Sequence, residues 1–205
     1  MLRPRLKHRF TRRTLLRMGP LTLVSLVAAC SRPFSHKNTV LPATPACGKD
    51  LTTPPQTEGP FYTPDSPQRT SLLEPGFSGT PIVVTGQVLS SECRPIAGAL
   101  VDCWHTNDQG EYDNEGYQFR GHQFTDADGQ YRIETIVPGI YPGRTRHFHI
   151  KVQAANQPVL TTQLYFPEES ATNQNDFLFD PALLMTVDDG GDTKRASFNF
   201  VLKTV

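Results

Sequence analysis

From Pro81 onward the chain alternates apolar and polar residues with a period of two, and this alternation limits the possible folds more than any other feature. Stretches 82–89 (IVVTGQVL), 99–104 (ALVDCW), 130–136 (QYRIETI), 147–152 (HFHIKV), 160–166 (LTTQLYF) and 197–202 (SFNFVL) are strand-length runs rich in β-branched and aromatic side chains. Between them stand Arg94-Pro95 with Gly98, Asp128-Gly129, Pro138-Gly139, Asn156 with Pro158, and Gly190-Gly191, all of which supply turn chemistry. No intervening segment holds a helical stripe of useful length, and 18 Pro with 15 Gly argue against a helix bundle. The expected fold is all-β, a two-sheet sandwich with little helix.

The 205 residues balance 20 Lys+Arg against 20 Asp+Glu, which argues against a nucleic-acid surface. That balance conceals two unlike pieces. Seven bases and no acid precede Cys30, leaving 13 bases against 20 acids in the remainder. Residues 1–29 join a basic stretch to an apolar run from Met18 to Ala29, ending in small residues, as export signals do. The run is too short for a membrane-spanning helix, which needs ~20 residues. Thr11-Arg12-Arg13-Thr14-Leu15-Leu16-Arg17 resembles a twin-arginine signal, and Val27-Ala28-Ala29-Cys30 resembles a bacterial lipobox whose Cys30 carries the lipid. The expectation is an exported cell-envelope protein on the periplasmic side, touching membrane only through that N-terminal lipid.

Residues 30–53, with Pro33, Pro42 and Pro45 among Ser, Thr and Ala, read as an extended tether, and the folded domain as 54–205. Lipidation of Cys30 leaves Cys47, Cys93 and Cys103, an odd count that permits one bridge. Cys103 alternates with Val101 in an apolar strand and reads as a small buried hydrophobe. A Cys47–Cys93 disulfide is therefore expected, favoured by an oxidising compartment.

A sandwich can bind or catalyse, and residues rather than scaffold decide which. In His147-Phe148-His149 the two imidazoles share one face of a strand while Phe148 and Ile150 point into the core. Two nitrogens alone make no transition-metal site. No Glu stands at a useful short offset, whereas Tyr141 precedes His147 by six residues in a Pro-Gly turn and Tyr112 lies in the loop after the Trp104 strand. Phenolate oxygen is a hard donor suited to Fe(III), and a trivalent charge favours its ionised form.

At these residues the chain resembles a known family. Gly59-Pro60-Phe61-Tyr62, Gly98 to His105, Gly110-Glu111-Tyr112-Asp113, Arg120-Gly121, Thr125-Asp126, Gly129-Gln130-Tyr131, Thr135 to Gly139, Tyr141-Pro142, Arg144, His147-Phe148-His149 and Thr161-Thr162-Gln163 follow in order the pattern of the intradiol ring-cleavage dioxygenases, nearest the protocatechuate 3,4-dioxygenase branch. The resemblance implies a mononuclear non-haem Fe(III) held by Tyr112, Tyr141, His147 and His149, with water or hydroxide at a fifth position. It implies cleavage of a small aromatic diol by O2 between its two hydroxyl-bearing carbons to a muconate-type diacid. Tyr141 would serve as an internal base, with Arg144 and Gln163 behind the iron ligands, and Tyr62 would line the pocket. A second resemblance, carried by Gly86 to Val101 and Thr125 to Tyr141, is to non-catalytic transthyretin-like sandwich modules that bind or brace.

The chain also departs from the dioxygenase pattern. Only five residues separate Tyr141 from His147, and Arg146 stands where a small residue is usual. A more open pocket is expected, with Arg146 beside Arg144 favouring an anionic or polar catechol; His122 is expected to border it. His105 reads as a solvated loop residue, Trp104 as core, and Asp126-Ala127-Asp128-Gly129 as a hairpin turn. Asp188 to Asp192 reads as a solvated turn. The residues do not indicate an oligomeric state.

Overall fold

The computed structural model describes Cys47 and residues 51–203. The twin-arginine segment, Cys30 and most of the tether lie outside the described residues. Among the described residues nine strands form two sheets: β1 (Pro81–Ser90), β2 (Leu100–Trp104), β3 (Arg120–Phe124), β4 (Gln130–Ile136), β5 (His147–Gln153), β6 (Leu160–Tyr165), β7 (Thr186–Asp188), β8 (Lys194–Ser197) and β9 (Phe200–Leu202). One sheet runs β4-β1-β8-β7, with β9 pairing the second half of β1, and the other runs β3-β2-β5-β6. One short helix, α1 (Ser170–Asn175), completes the described elements together with 3-10 turns at Pro167–Glu169 and Pro181–Leu183.

The alternation reads directly into this arrangement. Val84, Val88, Val101, Cys103, Ile133, Phe148, Ile150, Val152, Leu164 and Phe200 face one another across the two sheets and are buried. Removing that much apolar surface from water is the main driving force for folding. The 197–202 run divides into β8 and β9, because Asn199 breaks the ladder and offers its side-chain oxygen to the Gln87 amide at 2.8 Å. Thr53, at the end of the expected tether, is already part of the body: it is buried and exchanges bonds with Val201 (2.9 and 2.8 Å).

Asp126 does nucleate a turn, its Oδ1 accepting from the Asp128 and Gln130 amides. It is not a hairpin, however, because β3 and β4 leave the turn into different sheets. Asp188 to Asp192 closes the β7–β8 pair, with Asp189 bound to Lys194 at 2.8 Å. Cys47 and Cys93 are joined by a disulfide with a Cα–Cα distance of 5.4 Å, and Cys103 is a free, buried thiol. The bridge ties the segment preceding Thr53 to the turn after β1.

Candidate metal centre and active site

The loop that follows β2 begins with His105, which is 1% exposed rather than solvated. Its Nδ1 lies 2.7 Å from the Thr106 carbonyl, which can only accept, so Nδ1 carries the proton and Nε2 accepts from the Thr135 hydroxyl at 2.6 Å. Burial holds its pKa down at about 3, so it is a neutral staple between the loop and β4. Further along, this loop meets the one after β4. The Gly139 amide donates to the Asn107 carbonyl (2.7 Å) and the Thr106 hydroxyl to the Gly139 carbonyl (2.8 Å). A Cβ on Gly139 would fall 2.2 Å from the Gly110 nitrogen, and one on Gly110 2.3 Å from the Ile140 carbonyl oxygen. Only glycine permits that crossing, and the crossing is what brings Tyr112 and Tyr141 together, with ring centroids 5.8 Å apart. Phe61 stacks on Tyr112 at 4.4 Å and meets Tyr141 edge-on at 5.3 Å.

Strand β5 presents the histidines to the same point. His147 Nε2 and His149 Nε2 are 3.1 Å apart, and the Tyr112 hydroxyl lies 3.0 Å from the latter and 3.4 Å from the former. Donor atoms sharing one ion at ~2.0–2.2 Å stand about 3 Å from one another, so these three fit a common metal. His147 Nδ1 donates to the Thr145 carbonyl at 2.6 Å, leaving the Nε2 lone pair free to coordinate. Burial, followed by Arg144, pulls the His147 pKa to about 4, and burial with His147 beside it takes His149 well below the usual imidazole value. Both rings are therefore neutral at physiological pH, as metal ligands must be. Burial lifts the Tyr112 phenol above its ordinary pKa, so its ionised form needs a strong positive charge next to it. Among the described residues no group of three or more His, Cys, Asp and Glu side chains could hold a metal; the present set depends on tyrosine.

Behind the donors lies a polar network. Gln163 of β6 stands opposite His149 in the ladder and is fully buried. Its Oε1 accepts from Arg144 Nη2 at 2.6 Å and lies 3.0 Å from the Tyr165 hydroxyl, while its Nε2 donates to the Thr57 carbonyl at 3.0 Å. Arg144 Nε donates to Asp176 Oδ2 at 2.9 Å, and the same oxygen accepts from the Thr145 amide at 2.8 Å. Asp176 and Phe61 are the participants that sequence reasoning overlooked. No local signal marks Asp176, 32 residues from Arg144, whereas Phe61 stood inside the Gly59-Pro60-Phe61-Tyr62 motif.

Each of the three expected pocket residues has partners of its own, and Arg146 turns away from the site. Arg146 pairs with Glu169 (2.6 Å), donates to the Pro138 carbonyl and lines a cavity of about 290 Å³ with Asp108, Phe166 and Lys194. Strand alternation next to His147 turns it to the opposite side, and Glu169 supplies its counter-charge. Tyr62 packs against the Trp104 indole at 4.8 Å and donates to Asp102 Oδ2 at 3.2 Å, with Lys151 Nζ 3.3 Å from its ring centroid. It is Phe61 that stacks on Tyr112 and meets Tyr141 edge-on. His122 lies opposite Asp102, one row along the sheet from Trp104 and His149, and its Nδ1 meets the Ser66 hydroxyl at 3.1 Å. Trp104 is buried as expected, at 1% exposure.

The fold and this site define a class: an all-β sandwich that gathers two histidines and two tyrosines at one end of a sheet, with a largely buried Arg-Gln-Asp network behind them. A family model described as a dioxygenase matches residues 57–204. The dioxygenase domain of a dioxygenase carbohydrate-binding fusion from Streptomyces sp. SirexAA-E is 53% identical with a TM-score of 0.73, over 75% of this chain and 99% of that one. Catechol 1,2-dioxygenase 1 of Acinetobacter lwoffii is 29% identical over 54% of this chain and 45% of its own length. The protocatechuate 3,4-dioxygenase beta chain of Burkholderia cepacia is 36% identical over 43% and 46% respectively. The chain spans about half the length of these sequence relatives. It belongs to the intradiol ring-cleavage dioxygenase family.

Proposed function

We propose that this protein is a non-haem Fe(III) intradiol dioxygenase that opens a catechol-type ring between its two hydroxyl-bearing carbons, both atoms of O2 ending in a muconate-type diacid. The observation that carries the reading is the convergence of Tyr112 Oη, His147 Nε2 and His149 Nε2 within 3.0–3.4 Å, beside Tyr141, in a chain of this family. Bound Fe(III) would act as Lewis acid and template for the diol. The neutral imidazoles offer lone pairs, and Tyr112 offers a phenolate oxygen once a cation lies next to it. Tyr141, half-buried at the end of its loop, would as a phenolate beside the same cation accept a hydroxyl proton when the diol arrives. Arg144, always charged and held by Asp176 and Gln163, opposes negative charge that develops on the ring. Phe61 covers the tyrosines and keeps water from one side of the site.

Export and lipid anchoring at Cys30 complete the proposal, and the Cys47–Cys93 bridge is compatible with an oxidising compartment. The test is iron analysis, visible spectroscopy and O2 uptake on metal-replete protein with catechol, protocatechuate and hydroxyquinol. We expect bound iron, a red-brown tyrosinate-to-Fe(III) band and ring cleavage of at least one diol. Pure protein that is metal-replete yet colourless and consumes no O2 would leave a non-catalytic sandwich as the better reading.

A further inference from the structure

The two histidines of the site are held in different ways. His147 donates from Nδ1 to the Thr145 carbonyl at 2.6 Å, which sets both its plane and its tautomer. His149 has no such bond, because its Nδ1 is buried and without a hydrogen-bond partner. Metal-binding histidines ordinarily donate from their second nitrogen to a carboxylate, carbonyl or water, so another contact must orient this ring. The ladder places Trp104 of β2 directly opposite His149. The two rings stack with centroids 4.8 Å apart and planes 9° from parallel. The indole is pinned in turn: it is 1% exposed and packs against Tyr62, whose hydroxyl is tied to Asp102. Its own Nε1 is likewise buried without a hydrogen-bond partner, so the indole contributes to this site through its ring faces.

We propose that Trp104 is the positioning residue for His149. Stacking fixes the imidazole plane where His147 relies on a hydrogen bond, so that His149 Nε2 stays aimed at the point shared with His147 Nε2 and the Tyr112 hydroxyl. The inference rests on the dioxygenase reading only for what that point holds.

The experiment compares Trp104→Phe, which keeps an aromatic plane, with Trp104→Leu, which fills space without one. In metal-free protein the indole ring current should move the His149 ring-proton resonances upfield, and Trp104→Leu should abolish the displacement. In ferric-loaded protein a competing chelator should strip iron about 10–100-fold more readily from Trp104→Leu, with Trp104→Phe within about threefold of the parent. A Trp104→Leu protein that keeps iron as tightly as the parent would overturn the proposal. So would equal losses in both variants, which would reduce Trp104 to packing, or a water bound to His149 Nδ1 in a high-resolution crystal structure. Failure of the parent to take up Fe(III) would remove the dioxygenase reading, while an absent upfield displacement in the metal-free parent would by itself overturn the stacking on which the positioning role rests.

Discussion

Asp176→Asn tests the network behind His147, His149 and the two tyrosines, since it keeps the shape of the side chain and removes its charge. The Asp176 side chain is 1% exposed and accepts three bonds: Arg144 Nε at 2.9 Å, the Thr145 amide at 2.8 Å and the Leu178 amide at 2.9 Å. An asparagine has one oxygen to offer, so in either orientation its amide group faces at least one of these buried donors. Stranding such a group costs ~1–3 kcal/mol. Removing one partner of a fully buried ion pair costs ~3–5 kcal/mol, but Arg144 is 15% exposed and keeps Gln163, which lowers the figure here. A total of about 2–4 kcal/mol corresponds to a fall in Tm of about 5–15 °C for a domain of this size.

The loss should depend on pH in a defined sense. Burial works to raise the Asp176 pKa, but the Thr145 and Leu178 amides and then Arg144 outweigh it, leaving the carboxyl below its ordinary value of 3.8. Its contribution is then complete above the unfolded pKa and disappears as pH falls through the folded one. Calorimetry of parent and variant should show the full Tm gap near neutral pH and a closing gap below about pH 4. Equal Tm values at pH 7, or a gap undiminished in acid, would refute the argument. With Arg144 released, O2 uptake at a temperature where both proteins are folded should drop at least ~10-fold.

Tyr141→Phe should slow the binding of diol, followed by stopped-flow absorbance, more than it lowers iron content; an unchanged binding rate would exclude the base role. Arg146→Ala should leave the order of preference among catechol, protocatechuate and hydroxyquinol unaltered, because Arg146 is committed to Glu169 on the far side of the strand, and a reversed order in the O2 assay would contradict this. Replacing Cys47 and Cys93 together by Ser should cost up to about 4 kcal/mol through the entropy of the loop they close, read as a Tm lower by roughly 10 °C in the non-reducing scan.

Much of the sandwich was legible because β-strands announce themselves by alternation. The elements that escaped lacked it: β3 is Arg-Gly-His-Gln-Phe, with no β-branched residue, and β7 has three residues. The 197–202 run looked like one strand because the break at Asn199 depends on Gln87, far away in the chain. At the site, His147 and His149 were readable as a same-face pair, but their burial was not. That depends on Trp104, Gly59 and Gln163 arriving from other elements. His105 was misjudged for the same reason, since its partner Thr135 lies on β4.

Sequence alone determined which faces the residues occupy, which atoms are available as hard donors, and that Arg144 stands three residues before the His147 strand. These follow from strand geometry, a property of the backbone that nearby residues set. The tertiary structure decided who meets whom. The Gly110–Gly139 crossing delivers the two tyrosines to one place, Asp176 and Gln163 hold Arg144 beside the site, and Glu169 draws Arg146 away. Such choices depend on buried charges and hydroxyls finding partners across the fold, because an unpaired polar group in the interior costs more than any local preference can return.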